Sequence, residues 1–336
     1  MATSGIELSL SPATELPAVS VVLPVLNEEL HLSNAVQSIL SQDYLGQLEI
    51  ILALGPSRDK TDEIAHSLAT KDSRISIVKN PSGRTASGLN LAINKSINPV
   101  IVRVDAHSEL QKNYISLAIE IMRSSGATNV GGIMGAEGKS SFEKTVASAM
   151  RSSLGVGASR FHTGGEAGFV DTVYLGVFLR SAVLAVGGFD ERFIRAQDWE
   201  LNFRLRQAGG KIFFDPRLHV TYRPRSSVRA LAKQYFEYGR WRRVVSRRHQ
   251  GTINYRYLAP PFALLGTSLS IMFSLFFNLI FIIPAVIYGI FLIAASLITG
   301  KGWIEKLLLP IVLFTMQMSW GLGFLTSPKT LAPSEG

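Results

Sequence analysis

Val19-Ser-Val-Val-Leu-Pro-Val-Leu26 is a short, nearly continuous apolar run, and Asn27-Glu28-Glu29 follows it. Leu32, Val36, Ile39 and Leu40 then fall on one side of a helix. Strand, turn and helix therefore succeed one another, and the unit recurs. Leu48 to Leu54 precedes a helix from about Thr61, Ile75 to Val78 one from about Thr85, and Val100 to Val104 one from about Gln111. This alternation predicts an α/β domain with a mainly parallel sheet. In such sheets ligands gather outside the carboxyl ends of the strands, where Asn27, Asp59, Arg84 and Asp105 fall. Farther on, the Gly-rich segment 155–168 precedes an expected strand from Phe169 to Leu175. A connection of this length is read either as a lid over an acceptor or as a surface loop.

The pattern changes after residue 256. No Asp, Glu, Lys or Arg occurs from Tyr257 to Thr299, enough for two spans of about 20 residues each. Asn278 and Pro284 mark the expected break, and Leu307 to Thr326 offers a third span that would leave the C-terminus opposite the soluble domain. Just before these runs, from Val220 to Arg256, ten Lys or Arg stand against Glu237 alone, a surplus equal to the whole formal charge of +9. Basic residues beside spans stay on the cytoplasmic side, so the soluble domain is expected there. Lys301 and Lys306, between the second and third spans, agree. The expected organisation is a loose lead-in over 1–18, a soluble domain over 19–225, a basic amphipathic segment over 226–256, a membrane domain of about three helices over 257–326 and a tail over 327–336. Met1 to Ser20 lacks the basic-then-apolar order of a secretory signal.

Two places offer chemistry. Pro99-Val-Ile-Val-Arg-Val-Asp-Ala-His107 ends a buried-type strand in a carboxylate and an imidazole one residue apart, a pair able to hold one divalent cation on a diphosphate. The alternative is a turn cap at Asp105 and a surface histidine at 107. Between the glycine turns at 187–188 and 209–210, Asp198 and Glu200 stand at the start of a helix. Charge is structurally favoured there by the helix dipole, yet Phe193 and Trp199 beside Asp198 would desolvate it toward a useful general base.

Val22-Val-Leu-Pro-Val-Leu-Asn-Glu28, Asp105-Ala-His107 and the block from Gly187 to Pro216 together resemble family-2 inverting glycosyltransferases. The likeness is to the bacterial membrane-anchored members that build extracellular polysaccharide, the succinoglycan-type group, and runs from about Val19 to Trp241. It implies a GT-A fold that binds a nucleotide-sugar, UDP-sugar favoured, and a divalent metal, Mn2+ or Mg2+. Pro24, Asn27 and Glu28 would line the nucleotide, with Asp59 and Arg84 near base and ribose. Asp105 and His107 would hold the metal on the diphosphate, and Asp198 would deprotonate the acceptor hydroxyl. The acceptor would be a lipid-linked or growing polysaccharide at the cytoplasmic leaflet of a bacterial cell membrane.

The chain departs from the family pattern at three points. His107 replaces a second Asp, Leu54 and Gly55 stand where acidic residues contact the base, and Gln197 stands where a carboxylate often precedes the base. The basic segment partly resembles the Arg-Trp motif of processive relatives, which makes Arg240 and Trp241 candidates for the diphosphate or acceptor. Its other reading is an interfacial helix whose Arg side chains meet anionic lipid while Tyr235, Phe236, Trp241 and Val245 dip inward.

The absence of cysteine excludes disulfides, thiolate metal sites and Cys nucleophiles. A nucleotidyltransferase of the same fold and a non-catalytic membrane-bound binding protein are the alternative functions. A nucleic-acid partner is not expected, because the basic excess abuts the first span and the rest of the chain sums to zero.

Overall fold

The computed structural model describes residues 8–10, 15–157, 159–253 and 255–331, so the expected lead-in and tail lie partly outside the described residues. Along the chain run β1 (Val19–Val25), α1 (Leu32–Leu40), β2 (Leu48–Leu54), α2 (Thr61–Lys71), β3 (Ile75–Lys79), α3 (Thr85–Lys95), β4 (Val100–Arg103), α4 (Tyr114–Ser125) and β5 (Asn129–Ala136). The short helices α5 (Ser141–Met150), α6 (Ser153–Val156) and α7 (Arg160–Thr163) follow, then β6 (Gly168–Phe169), β7 (Tyr174–Leu179), α8 (Arg180–Ala185), α9 (Gln197–Gln207) and β8 (Ile212–Tyr222). The chain ends in α10 (Val228–Arg248), α11 (Tyr255–Phe276), α12 (Ile283–Thr299) and α13 (Trp303–Thr326). They divide into two compact units, residues Met1–Gly135 with Gly164–Thr221, and Ala136–Thr163 with Tyr222–Gly336.

The first unit is built on a sheet in the order β3-β2-β1-β4-β7-β5-β8-β6. Its first four strands are parallel, β1 pairing with β2 and β4, and β2 with β3. Continuous apolar runs suit strands covered on both faces, and Val19, Val21, Val22 and Leu23 are fully buried. The second half turns antiparallel, β7 against both β4 and β5, and β6 against β8.

The expected strand from Phe169 to Leu175 is two pieces, because its polar centre is used elsewhere. Asp171 pairs with Arg206 at 3.1 Å, and the Thr172 hydroxyl accepts from Asn202 Nδ2 at 2.9 Å. The helix expected from Gln111 begins at Tyr114, since the Gln111 side chain donates to the Arg217 carbonyl at 2.8 Å.

In the second unit three helical stretches, Tyr255–Phe276, Leu279–Thr299 and Trp303–Thr326, are long and apolar enough to cross a membrane. The first break falls where expected. Asn278 caps a 3-10 turn over Leu279–Ile282 by accepting from Ile280 N at 2.9 Å, and Pro284 stands at the start of α12.

The stretches are not alike. Protein covers 11 % and 17 % of the first two apolar windows and 50 % of the third. The cover on α13 is in part α10, whose buried stripe Leu231, Tyr235, Gly239, Arg242 recurs at helical spacing. A Cβ on Gly239 would overlap the Trp320 carbonyl, and one on Gly323 the Phe236 carbonyl. Of the four residues that the interfacial reading has dipping inward, Tyr235, Trp241 and Val245 are buried in protein and Phe236 is half-buried.

The segment 136–163 also belongs to this unit. Ser148 donates to Glu305 at 3.0 Å, and Gln317 Nε2 to the Leu154 carbonyl at 3.1 Å. The chain leading into the expected lid is therefore tied to α13.

Backbone contact at both glycines predicts that Gly239→Val and Gly323→Val each lose about 1–3 kcal/mol by overpacking. Thermal unfolding of the full chain in detergent checks this. A melting temperature equal to that of the parent would mean that α10 and α13 do not meet at these residues.

Candidate active site

The carboxyl ends of β1, β2, β3 and β4 carry the residues expected to bind the donor. Asn27 adopts a left-handed conformation at φ 55°, one that Asn tolerates better than most residues. Its amide donates to Ser57 Oγ at 3.1 Å, and its side-chain oxygen accepts from Arg58 N at 2.9 Å. Glu28 N donates to Thr61 Oγ1 at 2.7 Å, and Glu29 N to Asp59 Oδ2 at 3.2 Å. Asp59 also accepts from the Thr61 hydroxyl and amide, and the hydroxyl bond leads in holding its carboxyl below the usual range.

Asn27 and Asp59 thus lace the β1 and β2 loops together. Pro24 is a residue of β1 in register with Ala53. Arg84 precedes α3, its amide donating to Ser82 Oγ at 3.1 Å and its carbonyl accepting from Asn80 Nδ2 at 3.0 Å.

Beyond the end of β4, His107 Nδ1 stands 2.8 Å from Glu28 Oε1. A carboxylate on one ring nitrogen is the usual outer bracket of a metal-ligating histidine, fixing its orientation and basicity. Among the described residues no three His, Cys, Asp or Glu side chains gather as a complete metal cage. Asp105 and His107 nevertheless suit a cation that takes the rest of its shell from phosphate oxygens and water.

The centre of the cluster is a residue that sequence reading passed over. Arg103, the last residue of β4, is 4 % exposed, with its guanidinium 5.8 Å from the Phe189 ring centroid. Nη2 donates to Asp105 Oδ1 at 3.1 Å, and Nη1 donates to Asp198 Oδ1. One guanidinium therefore joins the metal-side carboxylate to the carboxylate expected to act as base. Phe193 is buried and Trp199 stacks on Phe203 at 5.4 Å. Besides these rings Asp198 meets a cation, the Arg103 guanidinium. The legible signal was a lone Arg inside Val100-Ile-Val-Arg-Val104.

Asp198 is the second residue of α9, where backbone N–H groups lack helical partners. The helix is fixed from below by Glu200, 2 % exposed, which accepts from Arg204 Nε at 2.7 Å and Nη2 at 2.6 Å. Arg204 also donates to the Val186 and Gly188 carbonyls. Gly188, at φ 72°, cannot carry a side chain, since a Cβ would stand 2.6 Å from Asn90 Oδ1. Asn90 needs that closeness to bond Phe189 through both its amide and its carbonyl, each at 2.8 Å. Glu200 is therefore structural, and Asp198 is the carboxylate of this turn turned toward the cluster.

Arg240 and Trp241 stand on α10 in the second unit. Arg240 pairs with Glu237 at 2.8 Å, and Trp241 is 3 % exposed. His219 lies in β8, its ring against Gly135, and Tyr222 accepts from Gln234 Nε2 at 2.8 Å.

The model of Glycosyl transferase family 2 matches residues 20–187, and the chain belongs to that family. Succinoglycan biosynthesis protein ExoA of Rhizobium meliloti is 31 % identical over 242 residues, 71 % of this chain and 73 % of its own. A Methanococcus voltae relative is 27 % identical over 324 residues, 91 % of this chain and 95 % of its own. It is named dolichyl N-acetyl-alpha-D-glucosaminyl phosphate 3-beta-D-2,3-diacetamido-2,3-dideoxy-beta-D-glucuronosyltransferase. Among solved structures, mannosyltransferase PcManGT from Pyrobaculum calidifontis in complex with GDP-Man and Mn2+ has a TM-score of 0.59 and 16 % identity. That alignment covers 94 % of this chain and 88 % of the other, a likeness of fold. The chain is a glycosyltransferase with a GT-A fold.

Removing one partner of a buried ion pair leaves the other uncompensated. Arg204→Met is therefore expected to cost about 3–5 kcal/mol of stability, read by denaturant unfolding of the full chain. A loss below ~1 kcal/mol, the scale of an exposed pair, would mean that Glu200 does not depend on Arg204.

Proposed function

We propose that the enzyme moves a sugar, with inversion, from a nucleotide-sugar to a lipid-linked or growing polysaccharide acceptor at the cytoplasmic face of a membrane. The observation that carries this is the convergence of Asp105 and Asp198 on one guanidinium, which sets a diphosphate-side and an acceptor-side carboxylate in one cluster. In the proposed step the acceptor oxygen bonds to the anomeric carbon as the bond from that carbon to the diphosphate oxygen breaks. The hydroxyl proton passes to Asp198, and the electron pair leaves with the nucleoside diphosphate. Oδ1 of Asp198 is taken by Arg103, and the side chain keeps 28 % exposure, so Oδ2 is the oxygen offered to the proton. Asp105 and His107 would hold a divalent cation, with Glu28 orienting the imidazole. When bound there, the cation neutralises charge on the departing diphosphate. A lipid-linked acceptor is supported by the dolichyl phosphate in the name of the Methanococcus voltae relative and by apolar helices that hold the enzyme at a bilayer.

The proposed topology is two crossings, α11 and α12, with α13 lying along the cytoplasmic interface. What supports it is the attachment of α13 at both ends. Glu305 accepts from Ser148 near its start, while just past its end Ser327 Oγ donates to the Arg240 carbonyl at 3.1 Å. Arg247 donates to the Ser327 and Pro328 carbonyls at 2.9 and 3.1 Å. A crossing α13 would carry α10, with Arg240, Arg243 and Arg247, through the bilayer, where each cation is strongly disfavoured.

Asp198→Asn is expected to lower kcat by about 10²- to 10⁴-fold, measured as nucleoside diphosphate released by the purified protein across a panel of nucleotide-sugars. Asp105→Ala is expected to abolish dependence on added Mn2+ or Mg2+. Full activity in Asp198→Asn would remove it as the base. The chain has no cysteine, so single introduced cysteines report sidedness without background. With an impermeant thiol reagent on intact cells, Asn278→Cys is expected to label, and Lys71→Cys and Lys329→Cys only after lysis. Labelling of Lys329→Cys before lysis would restore the third crossing.

A further inference from the structure

We infer that Arg103 is a positioning residue that couples the two sides of the transfer, holding Asp198 toward the acceptor while competing with the divalent cation for Asp105. This rests on the reaction proposed above. The fold alone does not call for a cation here. Val100, Ile101, Val102 and Val104 around it are fully buried, and a guanidinium taken from water is costly unless it is paired. Its pairing differs from that of Arg204. Arg204 divides its donors between one carboxylate and two backbone carbonyls, as a structural brace does. Both terminal nitrogens of Arg103 go to side-chain carboxylates on separate elements, and its buried Nε meets no hydrogen-bond partner among the described residues.

The charges make the coupling reciprocal. Asp105 and Asp198 share one cation, so the three groups sum to −1. A divalent cation drawn to Asp105 must share it with Arg103, and the guanidinium then pairs more fully with Asp198. By linkage, whatever strengthens the Arg103–Asp198 bond favours the cation at Asp105, and removing Arg103 removes both the competitor and the brace.

Metal affinity and turnover should therefore move in opposite directions, which a loss of structure does not produce. In Arg103→Met, Mn2+ binding to the full chain in detergent without donor, followed by electron paramagnetic resonance of the free ion, is expected to tighten by about 5-fold or more. The kcat should fall by about 10²-fold as Asp198 loses its orientation. In an Asp198→Asn background the same change should lower kcat no further.

Arg103→Lys keeps the charge but reaches one carboxylate at a time. It should hold Mn2+ affinity at the parent level and lose kcat at unchanged Tm, so it carries the test if Arg103→Met does not fold. Unchanged affinity and kcat in Arg103→Met, joint weakening of both with a lowered Tm, or a further multiplicative loss in the double variant would overturn the inference. If the parent chain binds no Mn2+ and Asp105→Ala is fully active, the underlying reading of the site fails instead.

Discussion

A guanidinium withdrawn from water at the end of a central strand is the constraint around which the candidate active site of this enzyme is arranged. Arg103 is 4 % exposed, and it is tolerable there only because two carboxylates meet it. Asp105 comes from the turn that follows the strand, two residues on. Asp198 must be delivered from ninety-five residues away, which requires the start of α9 to sit over the end of β4. The Gly187–Gly188 turn, Asn90 holding Phe189, and the Glu200–Arg204 brace are the means of delivery. Glu200 in that brace is buried with its partners supplied, as such groups require.

The second unit has a different organising rule. Its basic residues are concentrated on α10 and its flanks, and its apolar residues on three helices, so the two must be reconciled at one boundary. Close backbone approach at Gly239 and Gly323 seats α10 against α13. Several Arg residues are then used within the unit: Arg242 lies over Tyr257 at 3.8 Å, Arg243 over Phe324 at 5.0 Å, and Arg247 bonds the end of α13. These contacts set guanidinium groups on ring faces, and Arg242 is buried there at 7 % exposure. Charge that composition assigned to lipid is thus partly internal.

The strand and helix sequence of the first half was legible because a parallel α/β layer writes its local pattern plainly: continuous apolar strands, then one-sided helices. β2 and the starts of α2 and α3 fall on the residues expected from that pattern. The strand expected over Phe169–Leu175 was misread because Asp171 and Thr172 answer to partners thirty or more residues away, Arg206 and Asn202. Arg103 was missed for the same reason. Within Val100-Ile-Val-Arg-Val104 it is one polar residue in a buried run, and nothing local says which carboxylates will reach it. Glu28 was legible as a residue of the site, but its bond to His107 was not.

Gln197 becomes intelligible once Arg103 is in view. The residue before Asp198 is 9 % exposed and stands at a helix start, a place that by itself welcomes negative charge. A carboxylate there would compete with Asp198 for a guanidinium that Asp105 already shares. The sum over the cluster would deepen from −1 to −2, just where the proposed reaction has a nucleoside diphosphate, itself an anion, bind and leave. A neutral amide keeps the helix start polar without adding that repulsion, and leaves Arg103 to be divided between two carboxylates rather than three. His107 in place of a second Asp acts in the same direction, since a neutral imidazole can still ligate a cation while adding no negative charge of its own.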